Sequence, residues 1–138
     1  MRHPLFFCFL LLFTADLKAR PTYSTKIKEV DSLLSVVSTE LGNVKPSEAL
    51  KSATEALSIS RKAHYSKGIA ISCFHIGQIF NYLGEYEKSI EYLSLSEQEK
   101  YSKNDVIMLS EISRLKGQVY YLLGLSKTSF LEFRNVHS

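Results

Sequence analysis

"FNYLGEYEKSIEYL", residues 80–93, sets an aromatic, Leu83-Gly84, an acidic–aromatic pair and a second apolar run in that order. "YYLLGLSKTSFLEF", residues 120–133, repeats the layout forty positions later. Leu41-Gly42 precedes Leu83-Gly84 by 42 residues, and Leu123-Gly124 follows it by 40. Gly77-Gln78 returns as Gly117-Gln118, and Phe80 returns as Tyr120. Downstream of the Leu-Gly pairs, Ala49, Ser89 and Ser129 keep step, as do Ala53, Leu93 and Phe133. Self-similarity at a fixed period of this size marks a stacked repeat, in which each unit buries its apolar face only against its neighbours.

The units are helical. Residues 24–41 place Ile27, Val30, Leu33, Leu34, Val37 and Leu41 at three- and four-residue spacing, one apolar face of a helix. Gly42-Asn43 ends it, and Pro46 suits the first turn of the next, whose stripe runs through Ala49, Ala53, Ala56 and Leu57 to about His64. "YSKG" (65–68) punctuates. Residues 69–83 are apolar nearly all round, which predicts a helix covered on several sides. Gly84 interrupts, and a further helix runs from about 86 to 101. Asn104 or Asp105 offers an N-cap for a helix over 106–123, which Gly124 should stop before a last short helix from about 126. No β alternation competes, so the fold class is all-α, antiparallel hairpins on short loops.

Ahead of these helices, Arg2 and the nine apolar residues "LFFCFLLLF" (5–13) lead to "TADLKAR". This is the layout of a secretory signal peptide over residues 1–19, too short to span a bilayer as a helix. It predicts an exported protein, periplasmic or secreted. Cys8 would leave with that segment, so Cys73 would stand alone and no internal disulfide would form. Its neighbours Ile69, Ile71, Phe74 and Ile76 predict a buried thiol. A net charge of +3 with both signs interspersed points to neither nucleic acid nor an anionic membrane.

Ile76-Gly77-x-x-Phe80, then Gly84, Tyr86 and Ser89-x-x-x-Leu93, resembles the tetratricopeptide repeat pattern L-G-x-x-Y…A-x-x-x-F. Lys116-Gly117-x-x-Tyr120, Gly124 and Ser129-x-x-x-Phe133 form a second copy, with Lys116 at a usual leucine position. The period is nearer 40 than the family's 34, so longer helices are expected. Gly77 and Gly117 would let paired helices approach closely, and Ser89 and Ser129 would sit where the partner helix crosses. The resemblance implies a short right-handed α-solenoid of about six helices after the leader. Residues 20–43 would be the first helix of a degenerate repeat, and 44–138 the repeats proper, incomplete at the C-terminus.

The same resemblance places the first helix of each pair along a concave groove. Phe74, Gln78, Asn81 and Tyr82 would line it from one pair, and Arg114, Gln118 and Tyr121 from the next. Amides, an arginine and aromatic rings suit an extended peptide. Gln78 and Gln118 stand where asparagines clamp a terminal carboxylate in one class of these repeats, which speaks against that ligand. The functional expectation is therefore an exported module that binds a protein or peptide. The alternative is the N-terminal sensory segment of a bacterial transcriptional regulator or histidine kinase.

No catalytic or metal pattern competes. The four histidines, His3, His64, His75 and His137, include no i,i+4 pair, and Cys-x-x-Cys and G-x-S-x-G are absent. "KGIA" (67–70) lacks the order of a phosphate loop. Glu85, Glu87 and Glu91 read as a solvated helix face. Neither enzyme activity nor a cofactor or metal is expected. Phe130 and Leu131 lie about 100° apart on a helix, so one of them should stay uncovered and drive self-association through the last helix.

Overall fold

A computed structural model describes residues 22–136, save the side chains of residues 129, 130, 132, 133, 135 and 136. The expected leader at 1–19 lies outside the described residues. These contain six helices and no strand: α1 (Tyr23–Gly42), α2 (Pro46–Lys62), α3 (Ser66–Tyr82), α4 (Tyr86–Gln98), α5 (Lys100–Lys103) and α6 (Val106–Val136). None of them is long and apolar enough to cross a membrane.

Helices α2, α3, α4 and α6 begin at 46, 66, 86 and 106, so the forty-residue period of the sequence is two steps of twenty. The first three reversals are copies of one another. Val44, His64 and Gly84, twenty residues apart, take positive φ values of 56°, 52° and 77°. Two backbone hydrogen bonds close each turn. At the third, Gly84 N–H donates to Asn81 O at 3.1 Å and Glu85 N–H to Phe80 O at 2.9 Å. Val44 and Lys45, and His64 and Tyr65, make the same pair of bonds. This is the Schellman closure, which uses two carbonyls that the helix end would otherwise leave unpaired. Glycine occupies the left-handed position once. At the other two it is valine and histidine, so the packing of the flanking helices, rather than the residue, enforces the turn.

α1 packs on α2, α2 on α3, and α3 on α4. α3 also touches α1, α5 and α6, which explains why its sequence is apolar nearly all round. Val37, Ala53, Leu57, Cys73, Ile76 and Ile79 form the central cluster, and Leu93, Ile112, Leu115 and Val119 join α4 to α6. Cys73 is fully buried, and burial pushes its thiol up to about 11, which leaves it protonated and unreactive near neutrality.

At the α3–α4 crossing a Cβ on Gly77 would come within 2.7 Å of Leu93 Cγ and 2.9 Å of its Cδ2. Only glycine fits. Ser89 Oγ donates to Gly77 O at 2.7 Å, and Ser96 Oγ to Ala70 O at 2.8 Å. Each small hydroxyl brings the helices close and is itself satisfied in the process.

The second copy of the motif departs from expectation. α6 runs unbroken through Gly124, so residues from 126 onward continue the same helix instead of starting another. Gly117 is no helix-contact glycine either, because a Cβ there meets nothing within 4 Å. Among the described side chains of α6, burial ends at Val119. Among the described residues, no helix lies across Gly117 to hold a reversal in place. A glycine permits a left-handed turn, but without packing to stabilise it the helix continues. The expected helix over 86–101 also differs. It breaks at Glu99, which takes extended backbone angles, and resumes as the four-residue α5. Six helices are therefore present, but they are not the six expected. Asp105 does cap α6, its Oδ1 accepting from Met108 N–H at 3.0 Å, and this bond holds its carboxyl below the usual range. Lys116, which reads as a departure from the repeat pattern in the sequence, pairs with Glu97 at 2.7 Å.

Candidate functional site

The last turns of α3 and the middle of α6 diverge around a cleft of about 420 Å³. Gln78, Asn81 and Tyr82 line it from α3, and Arg114, Leu115, Gln118 and Leu122 from α6. One helical face supplies each wall, since residues three and four apart stand one above another. Leu115, 5% exposed, and the half-buried Leu122 give an apolar floor, while Tyr82, 64% exposed, forms the rim.

Five of the seven residues expected in the groove therefore share this cleft. Phe74 and Tyr121 do not. Phe74 is half-buried and packs against the Leu93–Ile112–Leu115 cluster, so it belongs to the α3–α4–α6 core. Tyr121, 68% exposed, stands two turns beyond Arg114 on nearly the same face of α6 but does not line the cleft. Leu115 and Leu122 went unnoticed in the sequence, where they read as ordinary core positions of an amphipathic helix.

The polar groups of the cleft are unequally committed. Arg114 is held by Glu111, with Nη2 at 2.8 Å and Nε at 3.2 Å from Oε2, and both side chains remain half in solvent. Such a pair fixes the guanidinium more than it stabilises the fold. His75 Nδ1 lies 2.8 Å from Gln78 Oε1, and burial lowers the pKa of the ring, partly opposed by that hydrogen bond. The ring is thus neutral near neutrality. With the proton on Nδ1 it donates to the amide oxygen and turns the amide nitrogen away. Asn81 is the exception: its Oδ1 is out of contact with water and has no hydrogen-bond partner among the described residues. A buried unpaired acceptor costs about 1–3 kcal/mol, which a bound donor would recover.

A second cavity of about 480 Å³ lies at the opposite end of α3, lined by Tyr23, residues 64–67, Lys100, Tyr101, Asn104 and Asp105. Its polar groups are largely spent on one another. Tyr65 Oη donates to Asp31 at 3.3 Å, Ser66 Oγ to Glu99 at 2.9 Å, and Tyr101 N–H to Ser66 Oγ at 3.0 Å. Burial and neighbouring acidic groups raise the pKa of Tyr65 and of Tyr101. This cavity reads as a clasp between turns, and the α3–α6 cleft is the better candidate site. No group of three or more metal-ligating side chains occurs among the described residues.

Compared with protein-family models, curated proteins and solved structures, the chain matches none.

Proposed function

We propose that the chain is a helical-repeat binding module, similar to tetratricopeptide arrays, whose α3–α6 cleft takes an extended stretch of polypeptide without chemical turnover. The unpartnered Asn81 Oδ1 carries this reading. A peptide backbone supplies N–H donors at regular intervals along its edge, and Asn81, on the wall of a cleft with an apolar floor, would meet one once its amide rotates to bring the unpaired Oδ1, closed to water in the free chain, into the cleft. Gln118 and Arg114 on the opposite wall donate to peptide carbonyls or to an acidic side chain. The twenty-residue step and the glycine-mediated α3–α4 crossing support the repeat assignment. Export behind residues 1–19 is part of the proposal, and places the peptide partner outside the cytoplasm.

The test is selection from a random linear peptide library displayed on phage. Peptides enriched on the parent chain are expected to bind Asn81→Ala and Gln118→Ala about tenfold more weakly, roughly the loss of one buried hydrogen bond each. Both variants should melt close to the parent. Failure to enrich any peptide, or equal binding to parent and variants, refutes the cleft as the site.

A further inference from the structure

The chemistry of the α3–α6 cleft changes from one end to the other. α4 packs against both α3 and α6, and the chain reverses at Gly84 and again over residues 99–105, so α3 and α6 run in the same direction. Gln78 and Tyr82 on one wall recur forty residues on as Gln118 and Leu122 on the other. Along the cleft the lining therefore passes from Arg114, through the amides of Gln78 and Gln118, to Leu122 and Tyr82.

Arg114 is the one charged side chain in the lining among the described residues. Glu111, one turn earlier and outside the lining, holds the guanidinium along a single edge, since Nε and Nη2 both donate to its Oε2. The two Nη1 hydrogens and the second hydrogen on Nη2 have no partner among the described residues. They form the end-on edge of the group, which grips a carboxylate through two parallel hydrogen bonds. At the other end, Leu122 is half-buried and Tyr82 is 64% exposed, whereas Leu115, 5% exposed, is covered by the body. The apolar surface open to a ligand is thus gathered at the Leu122–Tyr82 end. Between the two ends, Gln78 Oε1 is already engaged by His75.

We infer that the cleft reads a two-anchor segment of extended polypeptide: an aspartate or glutamate against Arg114, and a large apolar side chain against Leu122 and Tyr82, four positions apart. This rests on the peptide-binding role proposed above and names the class of peptide. Positions 114 and 122 are about 12 Å apart along α6. An extended chain rises about 3.3 Å per residue, so four residues cover about 13 Å and return the side chain to the same face. Three or five residues would turn the second anchor away from the cleft.

The experiment aligns the peptides that the parent chain enriches from the random linear library, and then resynthesises them for binding by fluorescence anisotropy. An acidic and a large apolar residue should recur four positions apart. Exchanging the acid for its amide should weaken binding to the parent about tenfold or more, the loss of a charge-assisted pair, and should change nothing for Arg114→Gln. That variant should melt with the parent, because the Arg114–Glu111 pair is half in solvent. One glycine inserted between the anchors, or serine at the apolar position, should also cost about tenfold. Enriched peptides that weaken on Asn81→Ala but show no such spacing overturn the two-anchor reading and leave the binding role standing. So does an acid-to-amide exchange that costs the parent and Arg114→Gln alike. A library that yields no peptide overturns both.

Discussion

Replacing Gly84 by valine isolates the cost of a left-handed turn from every other effect. A Cβ at this position meets nothing within 4 Å, so the substitution creates no clash, and the φ of 77° alone opposes it. Holding a non-glycine residue in this region costs about 1–3 kcal/mol, and a β-branched one belongs in the upper part of that range. Removing glycine from the unfolded chain returns about 0.4–1 kcal/mol. The net loss is about 1–2 kcal/mol, a fall in melting temperature of roughly 4–8 °C per kcal/mol for a domain near this size. The mirror experiment is Val44→Gly. There the strain is already present, at a φ of 56°, and the valine is 63% exposed, so little burial is lost. A stability gain of up to about 1 kcal/mol is expected. Thermal melts followed by far-ultraviolet circular dichroism at low protein concentration read both. If Gly84→Val melts with the parent, or Val44→Gly melts well below it, the three turns are not the equivalent closures described above.

Gly77→Ala should destabilise, although alanine is the better helix former by about 1 kcal/mol, because its Cβ would press on Leu93 Cγ. A net loss of about 0.5–2 kcal/mol is expected, and Leu93→Ala in the same chain should recover part of it, as a double-mutant melt would show. Stability should also fall on acidification through His75. Burial holds the folded ring below the ordinary value of 6.5, so the unfolded chain binds the extra proton more readily. The contribution is complete above that value and is lost as the pH falls below it and through the lower pKa of the folded ring; His75→Gln should flatten this part of the pH–stability profile.

The helices, their antiparallel order and the tight contact at Gly77 were legible in the sequence because each has a local signature. Apolar spacing marks the buried face, and glycine marks a place where a side chain will not fit. What misled was the inference from glycine to turn. Val44 and His64 turn without glycine, and Gly124 is a glycine without a turn. A reversal is decided by whether a following helix finds a surface to bury, and that information is not local. The cleft divides in the same way. Gln78, Asn81 and Tyr82 were reached through the resemblance to a repeat pattern, whereas Leu115 and Leu122 enter the lining only once α3 and α6 are set side by side. Phe74 packs against the α4–α6 cluster instead of lining the cleft, since an aromatic on a helix face serves core and groove equally well until its neighbours are known.

The central position of α3 has a consequence for how the molecule comes apart. Because α3 touches all five other helices among the described residues, no outer helix pair is independent of it, and the fold cannot unzip one helix pair at a time from either end. Amide hydrogens along α3 should exchange only through global opening, at the slowest rate in the chain. Those in α6 beyond Val119, with no described side chain buried after that point, should exchange by local fraying within the first time points. Exchange kinetics would thus separate a single cooperative block from the projecting rod, and the boundary should fall inside a continuous helix and not at a loop.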